Sequence, residues 1–219
     1  LADSNNLNKW LNYYQNKGYY TLPIDAVKKD NLNKIYPLVR NVILKEKVEK
    51  MILKKRTATT FKTMILGIPN VGKSTFINSM SNKKVFKVEN RPGVTKNLQW
   101  TKLSNEFEML DTPGILWPKF DDDVKYNLAL TGAIKDDILP LHDVVFYGLN
   151  YLIKNYPERL IERYQLNEIN STEQIIEQIG RRFGALTKGN LVDIERVYDI
   201  FLKDLRGNRF GGVSFEEPR

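Results

Sequence analysis

The sequence contains no cysteine and a single histidine, His142. The first absence excludes disulfides, thiolate zinc sites and cysteine nucleophiles, and it suits a reducing cytosol. The one histidine falls in a helical stretch and is read as structural, with no catalytic role. Long hydrophobic runs are missing too: none approaches membrane-spanning length, and the amino end has no signal-peptide pattern. There are no internal repeats and no low-complexity segment.

What remains is an ordinary globular composition, 42% apolar and 27% charged over 219 residues. That length supports one large domain or two of moderate size. The charge is not balanced. Lys plus Arg total 34 against 26 Asp plus Glu, a formal charge of +8, which favours polyanionic partners, nucleic acid first. A soluble protein that is merely basic is the competing reading. The excess is densest at Lys45, Lys47, Lys50, Lys54, Lys55 and Arg56. This run is either a patch for RNA phosphates or a solvated helix face leading into a linker.

The most specific stretch is Gly67-Ile-Pro-Asn-Val-Gly-Lys-Ser-Thr75, which fills the pattern G-x-x-x-x-G-K-[ST]. Apolar Phe61–Leu66 before it reads as a buried strand, and Phe76–Met80 after it continues as a helix. Strand, glycine loop and helix form the context that makes the pattern a polyphosphate site. The backbone N–H groups of the loop, those of Asn70, Val71, Gly72 and Thr75 among them, point inward with the helix N-terminus behind them. Lys73 reaches the β- and γ-phosphates, and the Ser74 hydroxyl binds Mg²⁺.

Elsewhere the periodicity predicts a helix over 3–16, capped by Asp3 or Ser4 and ended by Gly18. A short strand at 20–24, a loop over 25–30 and a helix carrying Leu32, Ile35, Val39, Val42 and Ile43 follow. Residues 87–96 read as a polar loop. Strands at 98–103 and 107–110 form a hairpin through Ser104-Asn105, and the second delivers Asp111-Thr-Pro-Gly114 at its carboxyl end. From Asp123 to Leu205 the pattern is helical throughout, with helices expected at 123–134, 141–154, 157–164, 172–183 and 191–205. The change places a domain boundary near residue 118.

Thr95 and Asp111-x-x-Gly114 complete a constellation with the phosphate loop. Thr95 can present its hydroxyl to Mg²⁺ and its N–H to a γ-phosphate. Asp111 can hold Mg²⁺ through water, and the Gly114 N–H can sense the γ-phosphate. Loss of that phosphate would release both loops, an order–disorder switch.

Together with Arg91-Pro-Gly-Val-Thr95, Asp111–Phe120, Thr131-Gly-Ala-Ile-Lys-Asp136, Tyr156-Pro-Glu-Arg-Leu160 and Ser214-Phe-Glu-Glu-Pro218, these motifs resemble the YlqF-type GTPases, the ribosome biogenesis GTPase A family. The likeness covers nearly the whole chain. It implies an α/β fold: a circularly permuted P-loop GTPase domain over residues 1–118, followed by an all-α domain over 119–219. Permutation places the guanine-reading motifs before the phosphate loop, and Asp25-Ala26 stands where the family's second base-contacting loop lies. No Asn-Lys-x-Asp occurs anywhere in the sequence. The resemblance implies that this motif precedes Leu1, with a strand of the sheet, so the GTPase domain is expected to be amino-terminally incomplete here.

The resemblance further implies Mg²⁺-dependent hydrolysis of GTP to GDP and phosphate, acting as a switch in assembly of the large ribosomal subunit. Precursor subunits and ribosomal RNA would be the partners of a cytoplasmic protein, monomeric when free and without a membrane. Many GTPases place a glutamine after D-x-x-G to orient the attacking water. Here Ile115 stands there, so the group that orients water is unassigned. In related GTPases an asparagine at the position of Asn70 helps bind K⁺ beside the phosphates, whereas the alternative is that Asn70 only shapes the loop. Two other functions stay open: a nucleotide-sensing RNA-binding scaffold with incidental hydrolysis, and a different P-loop enzyme such as an ATPase.

Overall fold

Only one small sheet forms among the described residues, and it is built from the strands that flank the two phosphate-site motifs. The computed structural model describes residues 2–54, 60–81, 98–116 and 119–218. Strand β1 (Phe61–Met64) pairs in parallel with β3 (Phe107–Asp111), and β2 (Gln99–Lys102) lies antiparallel on the far side of β3, giving the order β1-β3-β2. Period-two alternation sets the faces. Phe107, Met109 and Asp111 of β3 are buried on one side, and Phe61 of β1 joins them.

The chain divides into two units, one of residues 8–117 and one of residues 1–7 with 118–219. Helix α1 (Ser4–Asn16) begins in the latter and continues into the former. Its amino end is capped by Asp3, whose Oδ1 accepts from the N–H groups of Asn5 and Asn6, each at 3.0 Å.

The first unit departs from expectation in two places. Residues 20–24 pair with no strand among the described residues; just after them a single bridge joins Asp25 and Asp30. A strand exists only with a partner for its N–H and C=O groups, and Pro23 removes one donor from this one. The helix expected to carry Leu32 to Ile43 is also not regular. A 3₁₀ turn (Leu32–Lys34) leads into α2 (Ile35–Leu38), then a π turn (Val39–Ile43), before α3 (Lys45–Leu53). Pro37 falls inside the first α-helical turn after the 3₁₀ entry, where its missing N–H is tolerated. Helix α4 (Lys73–Ser81) follows the phosphate loop directly and buries Ile77 and Met80.

The other unit is helical: α5 (Asp122–Leu130), α6 (Leu141–Asn155), α7 (Pro157–Tyr164), α8 (Thr172–Arg182) and α9 (Ile194–Arg206). Val145, Leu149, Leu152, Leu160, Ile175, Ile179, Val197 and Phe201 are wholly buried, each worth roughly 1.5–3 kcal/mol relative to exposure. Gly148 lets α6 approach its neighbours: a Cβ there would stand 2.7 Å from Leu130 Cδ2 and 3.0 Å from Phe201 Cε1. Helix α5 stops four residues before the expected 134, because Gly132 adopts φ +71° and Arg206 donates to the open carbonyls of Ala129 (2.8 Å) and Leu130 (3.2 Å). Helix α9 starts at 194 rather than 191, since Leu186 and Val192 form a bridge first and the Asp193 side chain caps the Arg196 N–H.

Candidate functional site

The phosphate loop leaves β1 and closes on itself through its lysine. Lys73 Nζ donates to the carbonyls of Gly67 (3.0 Å) and Ile68 (2.9 Å), and the residue is only 9% exposed. Burial pushes its pKa below the ordinary lysine value, and the nearby Asp111 carboxylate opposes part of that shift. The loop's turn needs two residues with positive φ, Asn70 at +57° and Gly72 at +95°. Asparagine is among the few side-chain-bearing residues that adopt this region readily. Helix α4 begins at once, with Phe76 N–H donating to Gly72 O at 2.8 Å.

Strand β3 ends beside this helix start. Asp111 is fully buried; its Oδ2 accepts from Ser74 Oγ at 3.0 Å, while its Oδ1 has no hydrogen-bond partner among the described residues. An orphaned buried carboxylate oxygen next to a serine hydroxyl fits a divalent cation held through water, because a hard cation takes oxygen ligands and supplies the missing positive charge. Thr112 Oγ1 donates to Ile65 O at 2.7 Å, tying the segment after β3 to the end of β1. Gly114 then presses against the phosphate loop at Pro69, and Ile115 N–H donates to Gly67 O at 3.3 Å. The Ile115 side chain is 63% exposed and Val71 of the loop 56%.

The third element is the loop over 25–30. Asp25 Oδ1 accepts from the N–H groups of Val27 and Lys28, both at 2.9 Å, and these bonds hold its carboxyl below the usual aspartate range. Ala26 O accepts from Ser79 Oγ of α4 at 2.6 Å. Asp25-Ala26 is thereby fastened to the helix that the phosphate loop opens.

Of the residues expected at the site, the structure brings Asn70, Val71, Gly72, Lys73, Ser74, Thr75, Asp111, Gly114 and Ile115 together and ties Asp25 and Ala26 to α4. Thr95 lies outside the described residues, as do Lys55 and Arg56. Sequence reasoning missed Pro69, Ser79 and Thr112. Thr112 had a visible signal, its place inside Asp-Thr-Pro-Gly. Ser79 had none, since its partner lies 53 residues away. His142 sits in the helical unit, with Nδ1 2.7 Å from the Tyr198 hydroxyl and its ring against Phe146.

The family described as 50S ribosome-binding GTPase matches residues 62–182. The chain is 44% identical to the ribosome biogenesis GTPase A of Bacillus licheniformis over 219 residues, covering 99% of this chain and 77% of that protein. It is 30% identical to the ribosome biogenesis GTPase A of Thermotoga maritima, covering 100% of this chain and 73% of the relative. Among solved structures, GDP-bound TM YlqF matches with a TM-score of 0.64 at 26% identity, over 99% of this chain and 79% of that one. GNP-bound YlqF from T. maritima matches with a TM-score of 0.59 at 25% identity, over 100% and 78%.

Proposed function

This chain belongs to the 50S ribosome-binding GTPase family, as a relative of ribosome biogenesis GTPase A, and from that premise we propose how its residues divide the work. It is a P-loop GTPase of circularly permuted type, a GTP hydrolase that takes part in ribosome biogenesis, and it binds GTP and GDP. The nucleotide site comprises the loop Asn70–Thr75, Lys73 on the β- and γ-phosphates, Thr95 and Gly114 on the γ-phosphate, and Asp25-Ala26 beside the base. Ser74, Thr95 and Asp111 would hold Mg²⁺, which would supply positive charge against that developing on the transferring phosphoryl group. The observation that carries this reading is the fully buried Asp111, with one oxygen on Ser74 and the other unpartnered among the described residues.

Lys73 gives up the Gly67 and Ile68 carbonyls for phosphate oxygens, and the loop N–H groups bind the same oxygens. Gly114 and Ile115, joined to the loop at Pro69 and Gly67, register whether a γ-phosphate is present. Ile115 has no group that orients water, so that task belongs elsewhere. Asn70 would help hold a K⁺ ion, whose charge would then lie beside the phosphates. Residues 8–117 form the nucleotide domain, and residues 118–219 with 1–7 the helical domain, so the amino-terminal boundary differs from the expected 1–118. Together with the basic segment 45–56, the helical domain binds ribosomal RNA of the large-subunit precursor in the cytoplasm, with the free protein monomeric. Turnover of GTP measured with and without large ribosomal subunits tests the reading: stimulation is expected. Equal rates, with subunit binding that still depends on nucleotide, would favour a nucleotide-sensing scaffold, which the exposed apolar Ile115 also suits.

A further inference from the structure

Phe107 begins β3 and Asp111 ends it, so the two mark opposite ends of the strand. At the Phe107 end, the β2–β3 turn and the helical run from Tyr36 enclose an open cleft of about 430 Å³, within the roughly 300–1,000 Å³ typical of small-ligand sites. Tyr36 and Pro37 form its apolar wall, and Phe107 lies buried at its base with its ring packed 4.6 Å from that of Tyr36. Its rim carries the neutral hydrogen-bonding side chains Asn41, Ser104 and Asn105. The Arg40–Glu106 ion pair crosses it between side chains that are 41% and 49% exposed, so opening that pair costs little. The Tyr36 hydroxyl is shut off from solvent without a well-formed hydrogen bond, and Ser104 is its polar neighbour.

Two features around the cleft point to its ligand. Arg40 and Asn41 lie in the π turn of residues 39–43, a rare irregularity that is frequent at functional sites. The same helical run continues directly into α3, which exposes Lys45, Lys47 and Lys50, with Lys54 just beyond. A tyrosine face with an amide rim at the foot of a cationic helix has the chemistry that takes a splayed-out base by stacking on one side, while the backbone phosphates lie along the charges. We infer that this cleft accepts one unstacked nucleobase of an RNA strand whose phosphates run along α3. The inference rests on the ribosome-binding reading above and names a contact for it on the nucleotide unit, away from the phosphate loop.

The test uses the whole chain and isolated large ribosomal subunits bearing 4-thiouridine. Asn41 and Asn105 are exposed, so the Asn41→Ala/Asn105→Ala double variant removes rim donors without disturbing the core. It is expected to bind subunits about tenfold more weakly, at about one to two lost hydrogen bonds, with GTP affinity and basal hydrolysis unchanged. Irradiated wild-type complexes are expected to yield a nucleotide adduct on the peptide that contains Tyr36. Unchanged subunit affinity in the double variant, or an adduct of that peptide to a ribosomal protein, overturns the base-binding cleft while leaving the ribosome reading intact. Failure of the wild type to bind subunits overturns both.

Discussion

Gly114 lies so close to Pro69 that a Cβ built on it would stand 2.5 Å from both the Pro69 N and Cα. The Asp111-x-x-Gly114 segment and the phosphate loop, proposed to sense and to bind the γ-phosphate, are thus in direct backbone contact. No flexible side chain could move aside to admit an alanine methyl.

Gly114→Ala is therefore expected to separate the two segments. Nucleotide affinity should fall about tenfold or more and hydrolysis should be nearly lost, since overpacking of this kind costs about 1–3 kcal/mol. Fluorescent GTP-analogue titration alongside thermal melting checks it. Wild-type affinity and turnover would mean that the two segments separate freely and that their contact has no functional weight.

Asp111→Asn addresses the cation. A buried carboxylate with an unpartnered oxygen is itself unfavourable until it is compensated. The asparagine variant should then melt no lower than wild type without nucleotide, yet lose the gain in GTP affinity that Mg²⁺ provides. Calorimetric titrations in Mg²⁺ and in EDTA measure that gain. If the variant keeps it in full, Asp111 is not a cation ligand.

Lys73 links binding to pH. Burial lowers its pKa in the free protein, and phosphate oxygens around the ammonium must raise it. As pH climbs into the alkaline range, a growing fraction of the free protein has Lys73 neutral, so nucleotide binding must take up a proton. The binding enthalpy should accordingly depend on the ionisation enthalpy of the buffer more at alkaline than at neutral pH, and Lys73→Arg should abolish that dependence. For stability without nucleotide the sign is opposite to a paired lysine: a depressed pKa disfavours the folded state while Lys73 is charged, and that penalty lessens as pH rises through the folded value.

Asn70 combines an amide with φ +57°, and two substitutions separate these properties. If the amide helps hold K⁺, hydrolysis should be faster in KCl than in NaCl at equal ionic strength. Asn70→Gly, which keeps the backbone geometry, should erase the difference, and Asn70→Ala should lose activity in both salts through backbone strain. A glycine variant that still prefers KCl would leave Asn70 as a loop-shaping residue.

Arg163 grips Asp204 with two bonds, Nε to Oδ2 at 2.9 Å and Nη2 to Oδ1 at 2.8 Å, and its guanidinium lies 5.3 Å from the Phe183 ring centre. Asp204 is 8% exposed, so Arg163→Ala strands a nearly buried charge. The helical unit should lose about 3 kcal/mol, read by chemical denaturation, and Arg163→Ala/Asp204→Asn should recover most of it. A single variant as stable as wild type would show that water reaches Asp204 freely.

The phosphate loop, Asp111-x-x-Gly114 and the five carboxyl-terminal helices were legible in the sequence because each is written locally. A motif needs its neighbours along the chain, and an amphipathic helix repeats its apolar face every three to four residues. Their ends were less legible. Helix α5 stops at Leu130 because Arg206, 76 residues away, serves its last carbonyl, and no local pattern reports that.

The sequence by itself determined the phosphate-loop and Asp111-x-x-Gly114 motifs, the helical periodicity after Asp123, and the absence of any thiol in these 219 residues. Tertiary structure decided the relations between segments. Residues 20–24 form no strand because a strand is a property of two segments and these have no partner among the described residues. Ser74 meets Asp111 across 37 residues because parallel pairing of β1 with β3 brings both strand ends to one edge. Ser79 fastens Ala26, and Gly114 closes on Pro69, for the same physical reason: hydrogen bonds and van der Waals contacts act over a few ångströms of space, and only the folded chain sets which residues those ångströms separate.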